Sequence, residues 1–205
     1  MWISRQAGFL FCHNPRTAGS SMIDALREVH GDFEPYSDDD EAPYHAKDHS
    51  TDRPPNSDGL PIVGFVRNPF ARELSLYLWQ AFIGRNDVRH PSGLSMTAAL
   101  LSFEQYIAFR VNQRLDDAVK RVVGTQSEFY GDLTPHRLLR YEDLPDAFTS
   151  LSFVPEGTAL EVNQTTRMGP VNLRTFYTPA ARVLVAHYAA ADFERFGYDP
   201  QEIPE

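Results

Sequence analysis

Two short stretches of this 205-residue chain place arginine, hydroxyl side chains and backbone N–H groups where an anion is readily held. The first is His13-Asn14-Pro15-Arg16-Thr17-Ala18-Gly19-Ser20-Ser21, a small-residue loop feeding a helical pattern. At a helix N-terminus the first N–H groups lack intrahelical acceptors and the dipole favours negative charge. Gly19 permits close backbone approach, Thr17, Ser20 and Ser21 add hydroxyl donors, and Arg16 supplies the charge. A capped βα turn with an exposed arginine is the plainer reading of the same loop. The second stretch runs from Val66 through Arg67, Asn68, Pro69 and Arg72 to Ser75. A phosphate near the first turns of the following helix would meet Arg67 and Ser75 together. Its plainer reading pairs Arg72 with a neighbouring acid and leaves Ser75 as a small packing residue.

The elements that must position these residues follow from hydrophobic periodicity. Residues 9–13 form an apolar run ended by Asn14-Pro15, and Met22, Ile23, Leu26 and Val29 then recur at helical spacing over residues 20–29. Residues 62–66 form a second, β-branched run, followed by Phe70, Leu74, Tyr77, Leu78, Ala81 and Phe82 on a helix over residues 70–83. Residues 97–111 and 115–123 carry further helical patterns. Residues 137–141 make a brief strand, and Glu142-Asp143-Leu144-Pro145 suits the first turn of a helix after it. Thr178-Pro179 starts a last helix, with Gly197 as its C-terminal cap. Strands alternating with helices predict an α/β fold with a mostly parallel sheet flanked by helices, whose ligands bind at the carboxyl ends of the strands. The whole chain, residues 1–205, is expected to form one domain. Residues 35–61 are a long polar loop, either a functional cover or partly disordered.

Composition removes several classes of function. With 42% hydrophobic and 23% charged residues the chain has the make-up of a folded protein. A net charge of −9 argues against a coat for nucleic acid or for an anionic membrane, though not against a small anionic ligand held by a few local cations. Cys12 is the only cysteine, read as a buried strand thiol, so no internal disulfide forms. The histidines are scattered, and no His-Glu-x-x-His pattern or cysteine cluster marks a metal site. The absence of a signal-peptide core or membrane span sets a cytoplasmic location as the expectation.

Pro15-Arg16-Thr17-Ala18-Gly19-Ser20-Ser21, followed by Arg67-Asn68-Pro69-x-x-Arg72-x-x-Ser75-x-Tyr77, resembles the donor-binding signature of the carbohydrate sulfotransferase superfamily. Leu138 to Leu144 and Asp192 to Tyr198 resemble recurrent segments of its bacterial members, so the likeness spans nearly the whole chain. The resemblance implies a P-loop-like three-layer α/β sandwich and 3′-phosphoadenosine 5′-phosphosulfate (PAPS) as sulfate donor, with no metal. It further implies that Arg16, Thr17, Ala18, Gly19, Ser20 and Ser21 hold the 5′-phosphosulfate, and that Arg67 and Ser75 hold the 3′-phosphate. Arg167, in a segment similar to the family's late nucleotide-covering loop, is a further 3′-phosphate candidate. The family usually carries lysine where this chain has Arg16. Arginine keeps the charge but is bulkier and does not release a proton, which alters the geometry at the leaving phosphate.

Transfer of a sulfuryl group to a saccharide or small-metabolite hydroxyl needs a base, and histidine titrates in the useful range. His45 and His49 lie where similar enzymes place such a histidine, with Tyr44-His45-Ala46-Lys47 closer to the family's spacing. His13, at the end of the first strand, is held in reserve. Two rival readings remain: a nucleotide-binding module without catalysis, and a P-loop-type phosphotransferase. The second lacks the Gly-Lys-Ser or Gly-Lys-Thr loop it would need. Acceptor identity and oligomeric state are not legible.

Overall fold

The computed structural model describes residues 1–36, 48–86, 93–113, 122–162 and 172–204. In chain order the elements are β1 (Trp2–Ser4), β2 (Phe9–Cys12), α1 (Gly19–Val29), β3 (Glu34–Pro35), β4 (Ile62–Val66) and α2 (Pro69–Asn86). Then come α3 (Gly93–Leu100), α4 (Phe103–Val111), α5 (Gln126–Tyr130), β5 (Arg137–Arg140), α6 (Asp146–Thr149), α7 (Pro179–Tyr188) and α8 (Ala190–Phe196). The chain forms two compact units: Met1–Arg67 with Asp116–Asn163, and Asn68–Leu115 with Gln164–Glu205.

The first unit is an α/β structure around a five-stranded sheet of order β3-β1-β2-β4-β5. Its pairings are antiparallel for β1 with β2 and with β3, and parallel for β2 with β4 and β4 with β5. The sheet is therefore mixed, which corrects the mostly parallel sheet expected from the sequence. The reason is local: residues 5–8 turn the chain straight back, Gly8 adopts φ +73°, and its N–H donates to the Ser4 carbonyl. Strands joined by so short a loop pair antiparallel. At three residues, β1 is too short to show a period, and for that reason it escaped notice.

β2 and β4 are buried along their full length, as central strands covered on both faces must be. Gly64 is required in β4, because a Cβ there would lie 2.5 Å from the Tyr130 hydroxyl, which donates to the Phe65 carbonyl. On one face Met22, Ile23 and Leu26 of α1 pack with Trp2, Phe9, Phe11, Val63 and Phe65. Phe9 stacks on Phe153 at a centroid distance of 3.7 Å. Each buried aromatic of this kind contributes about 1.5–3 kcal/mol by removal from water.

The second unit is helical. Phe70, Leu74, Tyr77, Phe103, Tyr106, Ile107, Val185 and Phe193 form its core, and Tyr177 donates its hydroxyl to the Phe70 carbonyl. The pattern over residues 97–111 resolves into two helices, because Ser102 and Gln105 form a reciprocal capping box that starts α4 afresh. The last helix also divides, at Ala189; Thr178 caps its start by accepting from the Ala181 N–H, and Gly197 ends it at φ +67°. Most of the helix expected over residues 115–123 lies outside the described residues. Among the described residues no helix is long and apolar enough to cross a membrane.

Candidate functional site

The site develops where β2 and β4 end side by side in the first unit. After Cys12 the chain leaves the sheet through His13 and Asn14, and Arg16 and Ala18 both take φ +68°, a left-handed conformation costly for residues with a Cβ. Such strain persists only where the surroundings over-determine it. Thr17 does so here: it is buried and its hydroxyl donates to the Asn14 carbonyl at 2.8 Å, so the expected ligand donor is committed within the loop. Ala18 is the N-cap of α1 and makes no side-chain cap bond to it. Ser20 is exposed and Ser21 buried.

At the β4 end, Arg67 stacks its guanidinium over the Tyr141 ring at 3.9 Å and donates from Nη1 to the Arg16 carbonyl at 3.4 Å. Stacking uses the guanidinium face and leaves hydrogen bonds to its edge. Gln126 joins the two strand ends. Its Oε1 accepts from the Arg67 N–H at 2.9 Å and from Asn14 Nδ2 at 3.2 Å, while its Nε2 donates to the Arg67 carbonyl at 2.8 Å. Gln126 went unnoticed in the sequence, although Thr125-x-x-Glu128 around it is a legible capping box.

Beside the loop lies a cluster that no spacing rule could have disclosed. His13 Nδ1 lies 2.9 Å from Asp48 Oδ1, across 35 positions of chain. Asp48 Oδ1 also accepts from Trp2 Nε1 at 2.7 Å. His49 Nδ1 lies 3.1 Å from the His13 carbonyl, its Nε2 lies 3.9 Å from Asp48 Oδ2, and the two rings are 4.4 Å apart. A carbonyl only accepts, so His49 Nδ1 carries the hydrogen and Nε2 the lone pair when the ring is neutral. Burial, then the charge of His13, pushes His49 down to about 4, so it is neutral around pH 7. For Asp48 burial works upward, but hydrogen bonds and charge from the histidines outweigh it and hold the carboxyl below its usual range. The His13 ring presses flat against Gly19, where a Cβ would lie 1.8 Å from Cδ2. The close approach that requires a glycine is thus to a side chain of the protein itself.

The structure brings together Arg16, Thr17, Ala18, Gly19, Ser20, Ser21, Arg67 and His49 in the first unit, and adds His13, Asp48 and Gln126. His45 and Arg167 lie outside the described residues. Ser75 belongs to α2 of the second unit, where it is half-buried. Arg72 follows its plainer reading: it is buried, and Nη1 lies 3.3 Å from Glu73 Oε1, with Arg110 on the other carboxylate oxygen. No protein-family model, no curated protein and no solved structure matches the chain.

Proposed function

We propose that the chain is a sulfotransferase that moves the sulfuryl group of PAPS to a hydroxyl of a saccharide or small metabolite. The observation that carries this reading is that Arg16 and Arg67 come together at the neighbouring ends of two parallel strands where α1 begins, Arg67 Nη1 donating to the Arg16 main-chain carbonyl. Such strand ends are where α/β sheets bind ligands, and two arginines beside a helix N-terminus suit a doubly phosphorylated donor. The motif resemblance supplies the rest: a P-loop-like three-layer arrangement, the 5′-phosphosulfate on residues 16–21, and the 3′-phosphate on Arg67, with Ser75 and Arg167 assigned to it by sequence alone.

In this reading the acceptor oxygen attacks sulfur in line as the bond from sulfur to the bridging phosphate oxygen breaks, releasing adenosine 3′,5′-bisphosphate. Arg16 stabilises the negative charge that gathers on that oxygen. The acceptor proton passes to His45 or to the neutral Nε2 of His49. Calorimetric titration with adenosine 3′,5′-bisphosphate, with ATP as control, tests the donor site. Binding in the micromolar range that Arg67→Ala weakens by about 1.5–3 kcal/mol is the expected result. No binding, or a preference for ATP with Mg²⁺, overturns the reading. Arginine in place of the usual lysine favours one second reading, a bisphosphate-binding module without chemistry; bisphosphate binding without PAPS turnover on any of a panel of hydroxyl acceptors would select it.

A further inference from the structure

We propose that His13, Asp48 and His49 form a binding site for a divalent transition-metal ion of the zinc class, independently of the donor site. Two imidazoles and one carboxylate are a donor set such ions take, commonly with a further position open. Each of the three residues offers one ligand atom, and these atoms all lie within 4.8 Å of one another. His13 Nδ1 and Asp48 Oδ1 lie 2.9 Å apart, within about half an ångström of the roughly 3.4 Å that separates two ligands on a tetrahedral ion at about 2.1 Å. His49 Nε2 lies 3.9 Å from Asp48 Oδ2, and with all three ligand atoms inside a 4.8 Å span its ring has to move by up to about 1.4 Å to complete the set.

The orientation around these atoms is of the kind metal sites require. A ligating histidine ordinarily gives its other ring N–H to a carbonyl or carboxylate, which fixes the tautomer and aims the lone pair. His49 has that arrangement, Nδ1 on the His13 carbonyl and Nε2 toward Asp48. Trp2 Nε1 donates to Asp48 Oδ1, the oxygen that also faces His13, and so fixes the carboxylate. The side chains are largely shielded, at 4% exposure for His13, 18% for Asp48 and 17% for His49, so a ligand exchanges there without the full competition of bulk water. An ion would take the place of the hydrogen now shared by His13 and Asp48. Two neutral imidazoles, one carboxylate and a divalent ion leave a net positive centre whose His13 ring abuts Gly19 of the anion loop. An ion in this position takes His49 Nε2 out of proton transfer and leaves His45 as the base.

The test is titration of the untagged, chelator-stripped chain with Zn²⁺ by calorimetry and with Co²⁺ by visible absorption. One equivalent binding at micromolar or tighter affinity, with ligand-field bands for Co²⁺, is expected. Asp48→Asn, which keeps the size of the side chain, and His49→Ala should each weaken it about tenfold or more, while His187→Ala on α7 leaves it unchanged. Should a variant fail to fold, ring-proton NMR of the wild-type chain with Zn²⁺ decides: the His13 and His49 signals must be the ones that move. No saturable binding up to millimolar Zn²⁺, binding that survives both substitutions, or shifts confined to other histidines overturns the proposal.

Discussion

Among the described residues, each unit brings three ionisable side chains into contact, and the two triads are built on opposite principles. In the second unit Glu73 lies between Arg72 and Arg110, with side-chain exposures of 2%, 1% and 0%. Burial pushes the Glu73 carboxyl up, against the pull of both guanidiniums, and Arg110 also packs over the Tyr188 ring. The carboxylate is shared by two cations inside the helical core, where the buried Asp192 adds a second negative charge close enough to act on Glu73. In the first unit His13, Asp48 and His49 stand at a strand end and leave Asp48 and His49 partly exposed. One arrangement closes on itself as a strut; the other presents lone pairs. The same contrast separates two arginines of a single sequence motif, since Arg67 sits at the strand end and Arg72, five positions on, is locked to Glu73.

Substitutions in the two triads should therefore fail in different ways. Glu73→Ala strands two buried guanidiniums and should cost about 3–5 kcal/mol in denaturant unfolding, without any specific effect on bisphosphate affinity beyond the loss of folded chain. Retained stability would mean that this triad is not a strut. Gly19→Ala forces a Cβ into the His13 ring and should cost about 1–3 kcal/mol, with the histidine cluster displaced in NMR spectra; an unperturbed His13 signal would contradict the contact.

The mildest effect concerns Tyr106, beside Arg110 and Glu73, which burial pushes up to about 12 from an ordinary value of 10.0. A raised phenol favours the folded state while it stays protonated, so its contribution is complete below pH 10 and is lost as pH rises towards 12. Ultraviolet titration should show this phenol ionising only together with alkaline unfolding, and Tyr106→Phe should blunt that step. The histidine cluster of the first unit has no part in it.

Much of the frame was legible because it is local. β4 matches its apolar run residue for residue, α1 and α2 follow their helical periods, and Thr178 and Gly197 cap where their side chains predict. Errors came where an element was too short to have a period, as with β1, or where a cap divided a continuous pattern, as Ser102 did. At the site, Arg67 is legible because it directly follows β4, and Arg16 because it lies in the short loop between β2 and α1. Asp48 and Gln126 were missed because a single polar residue, whether in a polar stretch of sequence or in a five-residue helix, carries no sign of what it will touch.

The amino-acid sequence by itself determined the strand-to-helix transitions and the cations placed at them, since periodicity, capping and turn chemistry act over a few residues. Only the tertiary structure decided that Arg67 is tied to Arg16 while Arg72 is buried, and that His13 meets Asp48 across 35 positions. These depend on which distant segments share a surface, and pairwise contacts between single polar side chains leave no period behind them.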